Sequence, residues 1–171
     1  MILFHGSNIE IFDIDFTKCK PYKDFGKGFY LTTIKEQAIR MAQNKAALYG
    51  GKPIITIYET DDDILDKENL NTKAFPMNPT IEWARFIVNN RTKNFKDQSS
   101  MDSNADCKYD IVLGPVADDA IAATIRRFMG DSLDEEGLMR KLTYKKLSNQ
   151  YSFHTDRAIA YLRKVGVLDE R

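Results

Sequence analysis

The sequence predicts an α+β protein with one or two mixed sheets, and three observations carry that expectation. Segments with strand character and segments with helical periodicity are interspersed along the chain. They do not alternate strictly, as a doubly wound parallel fold would require. The 171 residues are 43% hydrophobic and 29% charged, enough apolar material for a core and too much for wholesale disorder. The length suits a single globular domain over 1–171.

Each element has a local cause. Ile2 to Ser7 is short, apolar-rich and β-compatible, and a polar loop with turn residues follows from Thr17 to Gly28. Gly28 to Thr33 reads as a second strand. From Ile34 to Tyr49, residues Ala38, Met41, Ala42, Ala46 and Tyr49 recur at helical spacing, and Gly50-Gly51 stops the helix. Pro53 leads into the β-branched run Ile54-Ile55-Thr56-Ile57-Tyr58, and Glu59 to Glu68 reads as an acidic, exposed turn. Pro79 precedes a helix to about Asn90 with a stripe of Ile81, Ala84, Ile87 and Val88, broadened by Trp83 and Phe86. Residues 91–108 hold almost nothing to bury and read as a mobile loop. Tyr109 to Val116 is an apolar strand broken by Gly114-Pro115. Asp118 or Asp119 can cap a helix whose face is Ile121, Ile125, Phe128 and Met129. A shorter helix spans Leu133 to Leu142. Asn149 to His154 is a last strand, and Thr155-Asp156 opens a terminal helix with Ala158, Ile159, Leu162 and Val165 inside.

Composition excludes several classes. Twenty-five basic residues balance twenty-five acidic ones, which argues against nucleic-acid binding by bulk charge. Cys19 and Cys107 lack the paired spacing of a zinc or redox motif and make no disulfide framework. From Met1 the chain enters Ile2-Leu3-Phe4 with no basic leader, and no stretch approaches eighteen consecutive apolar residues. The expectation is a cytoplasmic protein without membrane contact, metal or internal repeat.

Side chains alternate across a strand. That places His5 and Ser7 opposite Phe4, Tyr30 and Thr32 opposite Phe29 and Leu31, and Gln150 and Ser152 opposite Tyr151 and Phe153. If the three strands are neighbours, those six polar residues line one cleft.

The residues around them carry a resemblance. Phe4-His5-Gly6-Ser7, Gly26-Lys27-Gly28-Phe29-Tyr30-Leu31-Thr32 and Asn149-Gln150-Tyr151 occur in the order and context of three motifs. They resemble those of ADP-ribosyltransferases of the diphtheria-toxin and poly-ADP-ribose polymerase branch, which carry a His, a Tyr and usually a Glu on three strands. The whole chain, with its Gly114-Pro115-Val116-Ala117-Asp118-Asp119 segment, is also similar to a small bacterial family of unknown function assigned to that superfamily. The resemblance implies split mixed sheets with flanking helices and an NAD cleft between them, and NAD as co-substrate.

Cleaving NAD builds positive oxocarbenium character on a ribose carbon beside a flat, cationic ring. Tyr30 can stack on that ring, Gly6 fits the carboxamide clamp the resemblance implies, and His5 and Ser7 can hold ribose hydroxyls. Gly28 and Thr32 belong to the same motif. The resemblance implies that the loop with Lys18, Lys20, Tyr22, Lys23, Phe25 and Lys27 folds over NAD, its lysines meeting the pyrophosphate and an aromatic covering a ring. Gln150 stands where the similar enzymes place Glu, and an amide is no useful base at pH 7, which disfavours polymer elongation. Three accounts stay open: mono-ADP-ribosyl transfer to an acceptor with its own nucleophile, a substitute carboxylate from Asp118 or Asp119, and a dinucleotide-binding domain without turnover. A carboxylate at 150 would speed cleavage unless another acid already stands beside it. His154 lies roughly 13 Å from Gln150 along the strand and belongs with the start of the last helix.

The leading expectation is an NAD-dependent mono-ADP-ribosyltransferase of unknown acceptor, toxin-like or regulatory. Protein, nucleic acid and small molecule all stay open as acceptor, and the resemblance implies a small antitoxin as a partner to test for. NAD glycohydrolysis and an inactive NAD or ADP-ribose sensor are the alternatives. The basic residues of the superfamily's tRNA-splicing phosphotransferase are not evident.

Overall fold

The computed structural model describes residues 1–92, 102–117, 119–130, 132–143 and 148–169. Among the described residues, seven strands form two sheets. The first has the order β1 (Ile2–Ser7), β3 (Ile54–Glu59), β7 (Arg163–Asp169), all antiparallel. The second has the order β2 (Phe29–Leu31), β6 (Asn149–Phe153), β5 (Ile111–Pro115), β4 (Thr72–Ala74), with β4 parallel to β5 and the other pairs antiparallel. One isolated bridge, Phe4 to Thr32, joins β1 to β2.

Three apolar clusters order these layers. Leu3 and Tyr58 of the first sheet meet Phe29, Leu31, Ile111 and Phe153 of the second, so one core lies between the sheets. The helix α1 (Lys35–Tyr49) packs Ala38 and Ala42 against Phe4 and Ile55 on the far face of the first sheet. Helices α2 (Ile81–Arg91), α3 (Asp119–Met129) and α4 (Glu135–Thr143) pack Trp83, Phe86, Ile121, Ile125 and Leu138 around Phe25, Phe75 and Val112 on the far face of the second. Thr80 caps α2 through Trp83 N–H, as its hydroxyl and position allow.

Several expectations are corrected. The terminal helix is a single turn, α5 (Asp156–Ile159), capped by Thr155, and the chain beyond it is β7. The spacing of Ala158, Ile159, Leu162 and Val165 suggested helix, but Gly166 weakens a helix and Val165 and Val167 favour a strand. β3 supplies the partner, and Val165 is the extra residue of a bulge, because Ile57 pairs with Gly166 and Tyr58 with Lys164. β4 has no alternation to betray it and exists through its pairing with β5. The acidic stretch is not wholly exposed: Ile64 is fully buried in a short 3-10 turn, and Asp61 and Asp63 each hold Lys67 at 2.9 Å.

The stretch read as a mobile loop over 91–108 is partly structural. Arg91 ends α2, and Asn104 is fully buried, its N–H on Asn90 Oδ1 at 2.8 Å and its own Oδ1 accepting from Tyr109 N–H at 2.8 Å. Polar residues bury when the backbone supplies partners for them, which composition cannot register. Positions 93–101 lie outside the described residues.

Candidate functional site

The bridge between Phe4 and Thr32 orients everything near it. Phe4 and Thr32 exchange two backbone hydrogen bonds, so the N–H and C=O groups of Phe4 and, two residues on, of Gly6 point toward β2. Tyr30 likewise turns its carbonyl toward β1. That carbonyl does not pair with β1's main chain. It accepts instead from His5 Nδ1 at 2.7 Å, so the two strands part immediately past the bridge.

A carbonyl can only accept, which places the His5 proton on Nδ1 and leaves Nε2 an acceptor with no partner among the described residues. The ring stacks on Phe29 at 4.3 Å between centroids. Burial, and secondarily the Lys45 charge, push its pKa down to about 3, against the pull of the Tyr30 carbonyl, so His5 is neutral at pH 7.

Tyr30 is held from both ends. Its hydroxyl accepts from Phe25 N–H at 3.0 Å and donates to Gly26 C=O at 2.7 Å, tying the 17–28 loop over β2. Burial foremost, and then the Asp24 carboxylate, push the phenol well above its ordinary value. Phe25, expected to cover a ligand ring, is fully buried and packs on Phe75, Phe86 and Tyr30. Tyr22 is exposed on the same loop with a φ of 60°.

Gln150 lies on the Tyr30 face of the second sheet and donates from Nε2 to Asp24 Oδ2 at 2.9 Å. Asp24 is 6% exposed. It also accepts from Ala117 N–H at 3.1 Å and from Arg91, whose Nε lies 2.9 Å from Oδ1 and whose Nη2 completes the ion pair. Because a carboxylate oxygen accepts, the amide group must turn its NH2 toward Asp24 and its Oε1 away. The carboxylate beside Gln150 therefore comes from the loop before β2. Asp118 lies outside the described residues, and Asp119 opens α3.

The six residues expected to line one cleft do not do so. His5 and Ser7 share the Leu3 face of the first sheet, toward the core between the sheets, whereas Tyr30, Gln150 and Ser152 share the opposite face of the second sheet, and Thr32 turns to Ile34 and Gln37 at the start of α1. Alternation sorts a strand's two faces but cannot say which sheet the strand joins. Ser7 is buried. Ser152 is fully buried, hydrogen-bonded to His154 Nε2 at 2.8 Å and Val112 C=O at 3.2 Å. Thr32 is buried as well and starts α1, accepting from Ile34 N–H at 3.1 Å and donating to Gln37 Oε1 at 2.8 Å.

Two glycines have packing reasons. A Cβ at Gly6 would stand 2.0 Å from Ala38 C=O, so α1 can lie against β1 only over a glycine. A Cβ at Gly28 would stand 2.6 Å from His154 Nδ1. His154 occupies that space, donating to Lys27 C=O at 2.9 Å, and burial lowers its pKa to about 4.

Three residues at this site escaped sequence reasoning: Asp24, Arg91 and Lys45. The partners of Asp24 are 67, 93 and 126 positions away, so no local spacing announces them. Lys45, on α1, donates to Gly6 C=O at 2.9 Å. Burial, then the Lys23 and Lys20 charges, lower its pKa to about 8. An open concavity of about 440 Å³ away from the site is lined by Met1, Asp61, Asp62, Tyr161 and Arg163, and a smaller one of about 160 Å³ borders Arg91 with Ile87, Ala122 and Arg126.

Among the described residues, no helix is long and apolar enough to cross a membrane, and no cluster of His, Cys, Asp and Glu could hold a metal ion. Fold and site together define an α+β protein of two mixed or antiparallel sheets that part at a His-Gly strand and a Tyr strand. Its family is shown by a match over residues 1–164: the chain belongs to DUF3990, described as a protein of unknown function. Neither curated proteins nor solved structures gave a match to the chain.

Proposed function

We propose that the protein is an NAD-dependent mono-ADP-ribosyltransferase acting at the parting of β1 and β2. The observation that carries this reading is the hydrogen bond from His5 Nδ1 to the Tyr30 carbonyl, which brings the first two motifs to one point and leaves His5 Nε2 as a neutral acceptor. Nε2 takes a ribose hydroxyl proton in a hydrogen bond, and the half-buried Tyr30 ring, on the other face of β2, is an apolar surface for a dinucleotide that crosses the β2 edge at the parting. Gln150, its NH2 held by Asp24, presents Oε1 to a second hydroxyl or to developing positive charge. In the step itself the bond between ribose carbon and nicotinamide nitrogen breaks, and its electron pair leaves with nicotinamide. An acceptor nucleophile bonds to the ribose carbon and its proton passes to solvent. Gln150 and Asp24 supply no free base, so the acceptor brings its own nucleophile, and transfer of a single unit is favoured over elongation.

A second reading is supported by the Asp24–Arg91 ion pair, which compensates the Asp24 carboxylate beside Gln150. That reading is a domain that binds NAD or ADP-ribose without turnover. With water as acceptor the same site would be a glycohydrolase. Incubation with NAD labelled in its adenylate portion separates the three: label on a macromolecule or small acceptor, free nicotinamide with ADP-ribose, or binding alone. Absence of any NAD binding, with Tyr30→Ala and wild type alike, removes all of them. Truncating Tyr30 in a folded protein is expected to weaken NAD binding by about 1–3 kcal/mol if the ring stacks.

A further inference from the structure

Helix α1 carries two apolar faces, and the first sheet uses only one of them. Ala38 and Ala42 are buried against Phe4 and Ile55. Met41 and Leu48 stand two turns apart on a second line, and Ile34, the residue before the helix, precedes Met41 by the same seven positions. All three are exposed, Met41 by 48% and Leu48 by 74%. Tyr49, also exposed, extends the surface at the C-terminal end of the helix. A single exposed leucine needs no account, but a line of apolar side chains about 21 Å long at a seven-residue period has the form of a helix-packing seam.

The rim of that line is basic. At about 100° per residue, Arg40 borders it on the side away from the sheet and Lys45 on the side toward it, where Lys45 donates to the Gly6 carbonyl at 2.9 Å. At the C-terminal end Lys20 Nζ lies 2.7 Å from the Tyr49 hydroxyl and 4.5 Å from its ring centre. None of these three cations has a carboxylate partner among the described residues. Glu36, the one acidic residue of α1, stands a turn before Arg40 and forms no ion pair with it.

We propose that this face of α1 docks an acidic amphipathic helix of a protein partner, with an apolar ridge on Ile34, Met41 and Leu48 and carboxylates against Arg40, Lys45 and Lys20. The uncompensated basic rim sets the partner's charge, and a straight apolar line of this period suits a helix laid along α1. A second copy of this chain fits poorly. Packing α1 antiparallel on itself about Met41 brings the two Arg40 side chains together on one side and the two basic rims face to face. The occupant stands beside the parting of β1 and β2, since Lys45 is bonded to Gly6 and Gln37 accepts from the Thr32 hydroxyl at 2.8 Å. The docking face does not depend on the NAD reading.

Fluorescence anisotropy of a labelled three-heptad helical peptide, with leucine along one face and glutamate beside it, titrated with the full chain tests this. Wild type is expected to bind it, more weakly as salt rises, and not to bind the same peptide with lysine for glutamate. Met41→Ser and Leu48→Ser should each weaken binding about tenfold. Arg40→Glu should weaken binding of the glutamate peptide and admit the lysine peptide, whereas Phe12→Ser, as exposed as Leu48 but outside this face, should change nothing. Thermal melts establish that the variants are folded. No binding at high-micromolar protein, or equal binding by wild type and folded Leu48→Ser, overturns the proposal. Two other occupants are read with the same variants. Without peptide binding, a dimer in sedimentation that Leu48→Ser dissociates gives the face to a second copy, and flotation with phosphatidylglycerol vesicles that Leu48→Ser abolishes gives it to a membrane. Either result overturns the acidic helix. If the peptide binds and NAD does not, the docking face stands and the NAD reading falls.

Discussion

Gln150 donates through Nε2 to a buried carboxylate, so a Glu at that position faces Asp24 Oδ2 where a hydrogen bond of 2.9 Å stood. From sequence, a carboxylate at 150 promised faster NAD cleavage unless another acid stood nearby. Asp24 is that acid. Gln150→Glu is therefore expected to destabilise the protein by about 1–3 kcal/mol and to gain nothing in nicotinamide release. Asp24→Asn combined with Gln150→Glu reverses the donor and acceptor and should recover about 1 kcal/mol of the loss. Urea unfolding of the wild type, both single variants and the double variant measures that coupling. Strict additivity would mean that the two side chains do not interact.

At the scale of elements, the contact of α1 with β1 is set by one missing methyl. Gly6→Ala places a Cβ 2.0 Å from the Ala38 carbonyl and 2.9 Å from Ala42 N, both backbone atoms that move only with the helix. The expected loss is about 1–3 kcal/mol. Gly130→Ala is a control of the same chemistry, since its Cβ would meet only Arg126 C=O at 3.5 Å. Denaturant midpoints for the two variants compare them directly, and equal midpoints would show that α1 shifts without cost. β7 matters in a different way: it covers the outer edge of β3, whose Ile55 is fully buried and whose backbone groups would otherwise be unpaired.

Over the whole molecule, both histidines are built in as neutral groups. The folded pKa of His5 is about 3 and that of His154 about 4, each lowered mainly by burial, against an ordinary value of 6.5. The folded state therefore binds fewer protons than the unfolded chain across this interval. Stability from these groups is complete above about pH 6.5 and declines as pH falls toward 4. The lowered carboxylates Asp102 and Asp110 act in a separate window, their contribution disappearing only below about pH 3.8. Urea midpoints between pH 7.5 and 4.5 should fall steadily, and His154→Gln should flatten the slope. A level profile for wild type over that range would contradict the neutral, buried assignment of both rings.

What the sequence by itself determined was the α+β class, four of the five α-helices among the described residues in approximate extent, and the strands that carry His5, Tyr30 and Gln150. Those features rest on local periodicity, turn residues and capping, which act over a few positions. Tertiary structure decided the rest. β7 emerged where a helical spacing stood, because the edge of β3 was there to pair with it, and Asn104 was buried because Asn90 and Tyr109 bond to it. The faces of β1, β2 and β6 could be sorted by alternation, but their division between two sheets could not, so the supposed common cleft separated into a ring stacked on Phe29 and a tyrosine beneath the loop. The same holds for Asp24 and Lys45. Each is an unremarked charge in its own neighbourhood, and only folding brings one to Gln150 and the other to Gly6.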